Sequence, residues 1–234
     1  MPIQQFRYSA DNLAYLVYDD KAAIAVDPGA VREMTDFLLA HGLQLQTIVN
    51  THSHPDHTVG NRALLEETGA PLMDMAALTD RSRLELDGEP MVVYHTPGHT
   101  NDAVIFYCPE AGALITGDTL FTGKAGRCFT GDLARFLESI RLIMDFPDDT
   151  RIYGGHDYVM EYMATAKKLE PDNAAIDDMV RAYHPEQVWS TLAEEKAVNP
   201  TLRFNTDSLI AVMRSRGLPT ATEYERWCSV MSMV

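Results

Sequence analysis

Seven consecutive residues, Thr51-His52-Ser53-His54-Pro55-Asp56-His57, constrain this chain more than any other part of it. Three imidazoles and a carboxylate packed so closely are poor core material, because histidine and aspartate are costly to bury without partners. A metal ion is the partner that satisfies them together. The β-branched run Thr47-Ile48-Val49-Asn50-Thr51 leads directly into the stretch, which places the cluster on the loop after a buried strand.

The rest of the chain supplies further strand ends. Leu13 to Asp27 reads as a hairpin about the turn Asp19-Asp20-Lys21, closing with Val26-Asp27-Pro28-Gly29. Val31, Met34, Leu38 and His41 predict a helix stopped by Gly42, and Thr58 to Thr68 predicts another ending at Gly69. Met91 to Tyr94 predicts a strand feeding His95-Thr96-Pro97-Gly98-His99-Thr100. A second hairpin, Ala103 to Thr116, then closes with Gly117-Asp118. Each hairpin ends in an aspartate, a weak internal repeat that suggests two similar halves packed sheet on sheet with helices outside. Leu133, Phe136, Leu137, Ile140 and Met144 stripe a helix with Asp132 as its N-cap, and Thr150 to Tyr153 predicts a last strand delivering Gly154-Gly155-His156. Beyond it, prolines at 171, 185, 200 and 219 punctuate segments of helical period. The expected division is an α/β metal-binding domain over residues 1–165 and a small helical domain over 166–234.

With 46% hydrophobic and 23% charged residues the chain has the composition of an ordinary globular protein. Nineteen basic residues against 34 acidic ones give a formal charge of −15, which disfavours nucleic acid and anionic membrane as partners. A bound divalent cation would still attract a small anionic substrate locally. Cys108, Cys128 and Cys228 are odd in number and contain no C-x-x-C pair, so they read as free thiols of a reducing compartment. With neither a leader-like start nor a membrane-length apolar run in the sequence, the expected location is the cytoplasm.

His52, His54, His57, His99 and His156, with Asp56 and Asp118, all fall just after an expected strand or on the loop it enters. A rigid sheet can aim such loops at one point. In extended backbone His52, His54 and Asp56 alternate in step and could face one side, whereas His57 must diverge, which separates the ligands into two sets. A catalytic ion takes about three protein ligands and leaves a position for water, so seven candidates suit two ions. His41, His95 and His184 lack this context and read as structural or surface residues, and Asp27 reads as support for its turn.

The order T-H-S-H-P-D-H, T-P-G-H-T, G-D-T-L-F, G-G-H-D-Y over positions 51 to 158 resembles the metallo-β-lactamase superfamily. Gly117 to Phe121 with Gly126-Arg127-Cys128-Phe129, Leu169 to Asn173, and Ser190 to Glu195 with Asn199-Pro200 are most similar to glyoxalase II, the hydroxyacylglutathione hydrolases. The resemblance implies a four-layer αββα sandwich with a small C-terminal helical domain. It also implies a dinuclear site of two divalent ions (zinc, iron or manganese). His52, His54 and His99 would hold one metal, Asp56, His57 and His156 the other, and Asp118 would bridge. Asp56 would orient the hydroxide that attacks the thioester of an S-(2-hydroxyacyl)glutathione such as S-lactoylglutathione. Arg127 and Tyr158 match the family's carrier-binding residues. Phe129 stands where a tyrosine is often found, and Met213 where an arginine would fit, leaving Arg216 and Arg214 as the C-terminal cations.

Persulfide dioxygenases resemble the same motifs but use a single iron, on the positions matching His52, His99 and Asp118. Against that reading stand Ser190 to Glu195 and the insertion from Glu170 to Val188. A hydrolase with another thiol carrier, or a binding protein on a superseded scaffold, are further readings, the latter disfavoured by the complete ligand set. A nuclease is disfavoured by the charge, and a flavo-diiron reductase by the length.

Overall fold

The computed structural model describes Met1–Val234. Strands β1 (Ile3–Tyr8), β2 (Asn12–Tyr18), β3 (Ala22–Val26) and β4 (Gln44–Val49) form one sheet in chain order. The second sheet contains β5 (Arg83–Leu86), β6 (Glu89–His95), β7 (Val104–Cys108), β8 (Ala113–Gly117), β11 (Arg151–Gly154) and β12 (Ser190–Thr191), in the order β12-β11-β8-β7-β6-β5. A short hairpin, β9 (Leu120–Phe121) with β10 (Lys124–Ala125), stands apart from both.

Strand alternation explains how the layers stack. Successive side chains point to opposite faces, so Leu13, Tyr15 and Val17 of β2 meet Val93, Phe106 and Ile115 of the second sheet in a central core. Their neighbours Ala14 and Leu16 turn outward, packing on Met34 and Leu38 of α1 (Val31–His41) and Leu64 of α3 (Asn61–Thr68). On the far side Ile105, Leu114 and Ile152 pack on Phe136, Ile140 and Ile143 of α4 (Leu133–Met144). The result is the expected four-layer sandwich. Strands β2 and β3 are buried on both faces, which is why they read as nearly continuous apolar runs.

The internal repeat is visible in the pairing. A hairpin strand, β3, joins β4 in parallel across α1, and a hairpin strand, β8, joins β11 in parallel across α4. Asp132 caps α4 as expected, accepting from Arg135 N at 3.0 Å. The helix expected from Thr58 to Thr68 starts later, as α3 at Asn61 after the separate turn α2 (Pro55–Thr58), and stops at Gly69 as expected. Strands β1, β5, β9, β10 and β12 have no counterpart in the sequence reading. The last three have only two residues each, too few for a period to register.

After β11 the chain continues through α5 (Val159–Leu169), α6 (Ala174–Ala182), α7 (Leu192–Val198), α8 (Asp207–Ser215) and α9 (Glu223–Met231). These helices share the sheets' cores: Ile176, Val188 and Val198 join the central one, and Leu192, Phe204, Leu209, Met213 and Val230 join the α4 side. Trp227 of α9 is fully buried edge-on to Phe136 and Phe204, and its indole N–H donates to Leu133 O at 2.8 Å. No helix is long and apolar enough to cross a membrane.

A polar hub ties this helical region to the β9–β10 hairpin. The fully buried Glu195 carboxylate accepts from Gly123 N (2.9 Å), Asn199 Nδ2 (2.7 Å) and Ser190 Oγ (2.6 Å), and Thr201 Oγ1 accepts from Ala125 N (2.8 Å). Burial pushes the Glu195 carboxyl up to about 7, against the opposing effect of its donors.

Two measurements check this packing. Trp227→Ala is expected to lower the unfolding free energy by about 3–5 kcal/mol in a urea titration, the usual cost of emptying an aromatic site. The Glu195 shift is upward, so its stabilising contribution is complete below the unfolded carboxyl value of 4.5 and is lost as pH rises to about 7. Glu195→Gln is therefore expected to flatten the fall in melting temperature across that interval. An unchanged slope would contradict the assignment.

Candidate metal centre

All seven expected ligands converge where the loops leave β4, β6, β8 and β11. They form two groups, each with donor atoms within 4.8 Å of one another: His52, His54, His99 and Asp118 in one, Asp56, His57 and His156 in the other. Asp56 is the one residue whose side differs from the alternation argument. Pro55 occupies the first position of α2 and His54 caps it, so extended backbone ends at 54 and Asp56 turns with the helix toward His156.

The tautomers follow from outer partners. Asp27 Oδ2 accepts from Thr51 Oγ1 (2.6 Å), so that hydroxyl can accept only from His52 Nδ1 (3.1 Å). Arg127 O accepts from His99 Nδ1 at 2.9 Å, Asp27 Oδ2 faces His57 Nδ1 at 3.0 Å, and Asp11 Oδ1 faces His156 Nδ1 at 3.0 Å. Each partner requires a proton on Nδ1, which leaves four Nε2 lone pairs aimed inward. His54 enters by Nδ1, at 3.0 Å from both His52 Nε2 and His99 Nε2. Imidazole nitrogens converging in this way suit a cation placed among them.

Asp118 faces both groups. Its Oδ2 lies 3.4 Å from His99 Nε2 and 3.9 Å from His52 Nε2, while Oδ1 lies 3.2 Å from His57 Nε2 and 3.5 Å from His156 Nε2. Oδ1 is buried without a hydrogen-bond donor, an arrangement that is costly unless a cation takes it up. Donor set and orphaned oxygen both fit a dinuclear metal site. Backbone approaches Asp118 closely on two sides. A Cβ on Gly155 would strike Asp118 Oδ1 and His57 Cε1, and one on Gly126 would strike the Asp118 carbonyl.

The charges respond accordingly. Burial alone would lower His57, but Asp27 and Asp118 on either side of the ring raise it to about 11, so a proton competes with a cation for its Nε2 lone pair. Burial would raise Asp118, yet His57, His156 and His52 hold it well below the usual carboxylate range. His52 falls to about 4 through burial and the charge on His57, which outweigh the opposing pull of Asp118 and Asp27. The site attracts positive charge and divides it unequally.

Phe129 and Tyr158 line the cluster. Phe129 is exposed and sits edge-on to His54 and His99, with the Arg127 guanidinium 4.9 Å over its ring. Tyr158 stacks parallel to His156, with ring centroids 5.1 Å apart. Arg214 and Arg216 are exposed on and just after α8. Arg214 donates to Thr220 Oγ1 at 3.1 Å, and neither arginine borders the cavities beside Arg127 or Phe129. His41, His95 and His184 lie outside both donor groups, as expected.

Three supporting residues were not anticipated in these roles. Asp11 orients His156, Asn12 Nδ2 donates to Asp56 Oδ2 at 3.0 Å, and Asp27 does more than support its turn. Asp11 ends the β1–β2 turn and Asn12 opens β2, where an Asp-Asn pair signals only a turn. Asp27→Asn tests the orienting role selectively, because asparagine tolerates the positive φ of 51° at this position. It is expected to weaken metal binding about 10–100-fold in competition with a chromophoric chelator, the usual effect of losing such a partner. Unchanged affinity would mean that Asp27 shapes the turn alone.

The family model described as the Metallo-beta-lactamase superfamily matches residues 11–79 and 76–156. A hydroxyacylglutathione hydrolase of Synechococcus is 35% identical, over 88% of this chain and 90% of its own. Another, from Chromohalobacter salexigens, is 32% identical over 93% of this chain and 91% of its own. Among solved structures, ETHE1 from Myxococcus xanthus shares the fold with a TM-score of 0.70 at 23% identity, covering 98% of this chain and 100% of that one. On these matches the chain belongs to the metallo-beta-lactamase superfamily, with hydroxyacylglutathione hydrolases as its curated relatives.

Proposed function

We propose that this protein is a metal-dependent thioester hydrolase that cleaves S-(2-hydroxyacyl)glutathione, such as S-lactoylglutathione, to a 2-hydroxy acid and glutathione. The observation that carries the reading is Asp118 facing both donor groups, one oxygen to each. The relatives' shared name supplies the substrate class.

His52, His54 and His99 would hold one ion, Asp56, His57 and His156 the other, with Asp118 between them; zinc, iron and manganese all suit these donors. Two such ions supply Lewis acidity and a water acidic enough to attack at neutral pH. The chain's residues do the rest. Asn12 fixes Asp56 Oδ2 by hydrogen bonding, and that oxygen is placed to orient the attacking water and accept its proton. Phe129 walls the side of His54 and His99 and keeps the thioester from bulk solvent there. Addition to the carbonyl is followed by cleavage of the C–S bond, and the sulfur leaves as thiolate and is protonated from solvent. Tyr158 is held at about 12, first by burial and then by Asp11, Asp118 and Asp56, so its hydroxyl remains a donor for the carrier. Arg127, without a carboxylate partner, suits the carrier's acidic end.

Metal analysis coupled to turnover of S-lactoylglutathione tests the reading, and two metals per chain with thioester cleavage is the expected result. One iron per chain, oxygen uptake on glutathione persulfide and no thioester cleavage would sink it. Asp118→Ala is expected to lose metal and nearly all turnover, whereas Arg127→Ala is expected mainly to raise KM.

A further inference from the structure

A thioester has two arms, and Arg127 and Tyr158 suit only the carrier. The acyl arm needs separate room beside the metal cluster. A cavity of about 450 Å³ supplies it, bordered by Ser53, His54, His99, Thr100, Asp102 and Phe129. It shares no lining residue with the cavity beside Arg127. Phe129 is its only apolar residue, and no lysine or arginine lines it. An alkyl chain finds little apolar surface there, and an anion finds no lysine or arginine.

Two groups in this cavity lack partners. Thr100 Oγ1 is buried and has no aligned hydrogen bond, which is costly for a hydroxyl unless a ligand completes it. Asp102 is half-buried, with no cation of the chain within 4.0 Å. Burial would raise its carboxyl, but the neighbouring hydroxyls of Thr100 and Ser53 hold it below the usual carboxylate range, so it is ionised at neutral pH. Thr130, by contrast, is committed: its Oγ1 donates to Gly98 O at 2.9 Å and accepts from Asp132 N at 3.2 Å.

The loop that carries the two groups is fixed by main chain. Thr100 O accepts from Gly98 N at 3.0 Å, Ala103 O accepts from Thr96 N at 2.9 Å, and Val104 N donates to Thr51 O at 2.8 Å. Carboxylate and hydroxyl are therefore pre-organised beside His54 and His99. An alcohol can donate to the first and accept from the second. An ammonium can only donate, and a second carboxylate is repelled.

We propose that Asp102 and Thr100 form an acyl pocket that recognises the 2-hydroxyl of the acyl group, Asp102 accepting its hydrogen bond and Thr100 donating one to its oxygen. The same carboxylate turns away acyl groups that themselves end in a carboxylate. This deepens the thioester-hydrolase reading and rests on it for the position of the carbonyl.

The test is calorimetric binding to the metal-loaded protein of glutathione thioethers that cannot be hydrolysed: S-(2-hydroxypropyl)glutathione, S-propylglutathione and S-(3-carboxypropyl)glutathione. The hydroxypropyl ligand is expected to bind about 10-fold tighter than the propyl one, and the carboxypropyl ligand to bind most weakly. Asp102→Ala is expected to abolish the hydroxyl preference and relieve the rejection of the acid, with metal content and propyl affinity unchanged. Asp102→Asn, which keeps the shape and one acceptor oxygen, should retain part of the hydroxyl preference and lose the rejection. Equal weakening of all three ligands by Asp102→Ala is a structural effect and overturns the pocket. So does a hydroxyl preference that survives Asp102→Ala, which would assign that hydroxyl to the metals, or the absence of any preference in the parent protein. The hydrolase reading fails separately: hydroxyl-selective binding that depends on Asp102, without turnover of S-lactoylglutathione, would reject the reaction and keep the pocket.

Discussion

The imidazole of His57 lies between two aspartates, and the rest of the molecule can be understood as the means of keeping it there. Asp27 takes its Nδ1 and Asp118 faces its Nε2. The first contact chooses the tautomer and the second points the remaining lone pair at the metal position. Both aspartates follow the last strand of a hairpin, β3 in one half and β8 in the other. A ring buried between two carboxylates draws positive charge, as its own proton or as a cation, and the neighbouring Nε2 atoms mark where a cation fits.

Sheet packing supplies the precision. The central core between the sheets is continuous from Leu13 to Ile115, so the loops leaving one sheet are fixed relative to those leaving the other. Close-packed interiors do not deform gradually. Gly155 brings backbone against the Asp118 carboxylate and Gly126 brings it against the Asp118 carbonyl, where any side chain would intrude. Orientation in this site is a property of the fold rather than of a few flexible side chains.

Much of this is legible in the sequence. The seven candidate ligands are marked by residue type at strand ends, and the hairpins, α1 and α4 by their periods. The division of Asp56 from His52 and His54 was not, because alternation assumed extended backbone through Pro55, where a helical turn begins. Asp11 and Asn12 are also silent, since polar residues at a turn look the same whether or not they touch a candidate ligand 145 or 44 residues away in sequence. The buried role of Glu195 had no local signal either: in sequence it is one of two adjacent glutamates on a short helix, and only the chain crossing at Gly123 makes it interior. Contacts between distant segments are what a single sequence conceals.

Arg127 serves two parts of the molecule at once. Its carbonyl orients His99, while its guanidinium lies over Phe129 at the edge of a separate cavity. Main chain is indifferent to side-chain identity, so the side chain at this position can be exchanged without disturbing the ring that its carbonyl holds. The orientation of His99 is thereby insulated from whatever side chain the position carries, and the two ends of this residue can change independently.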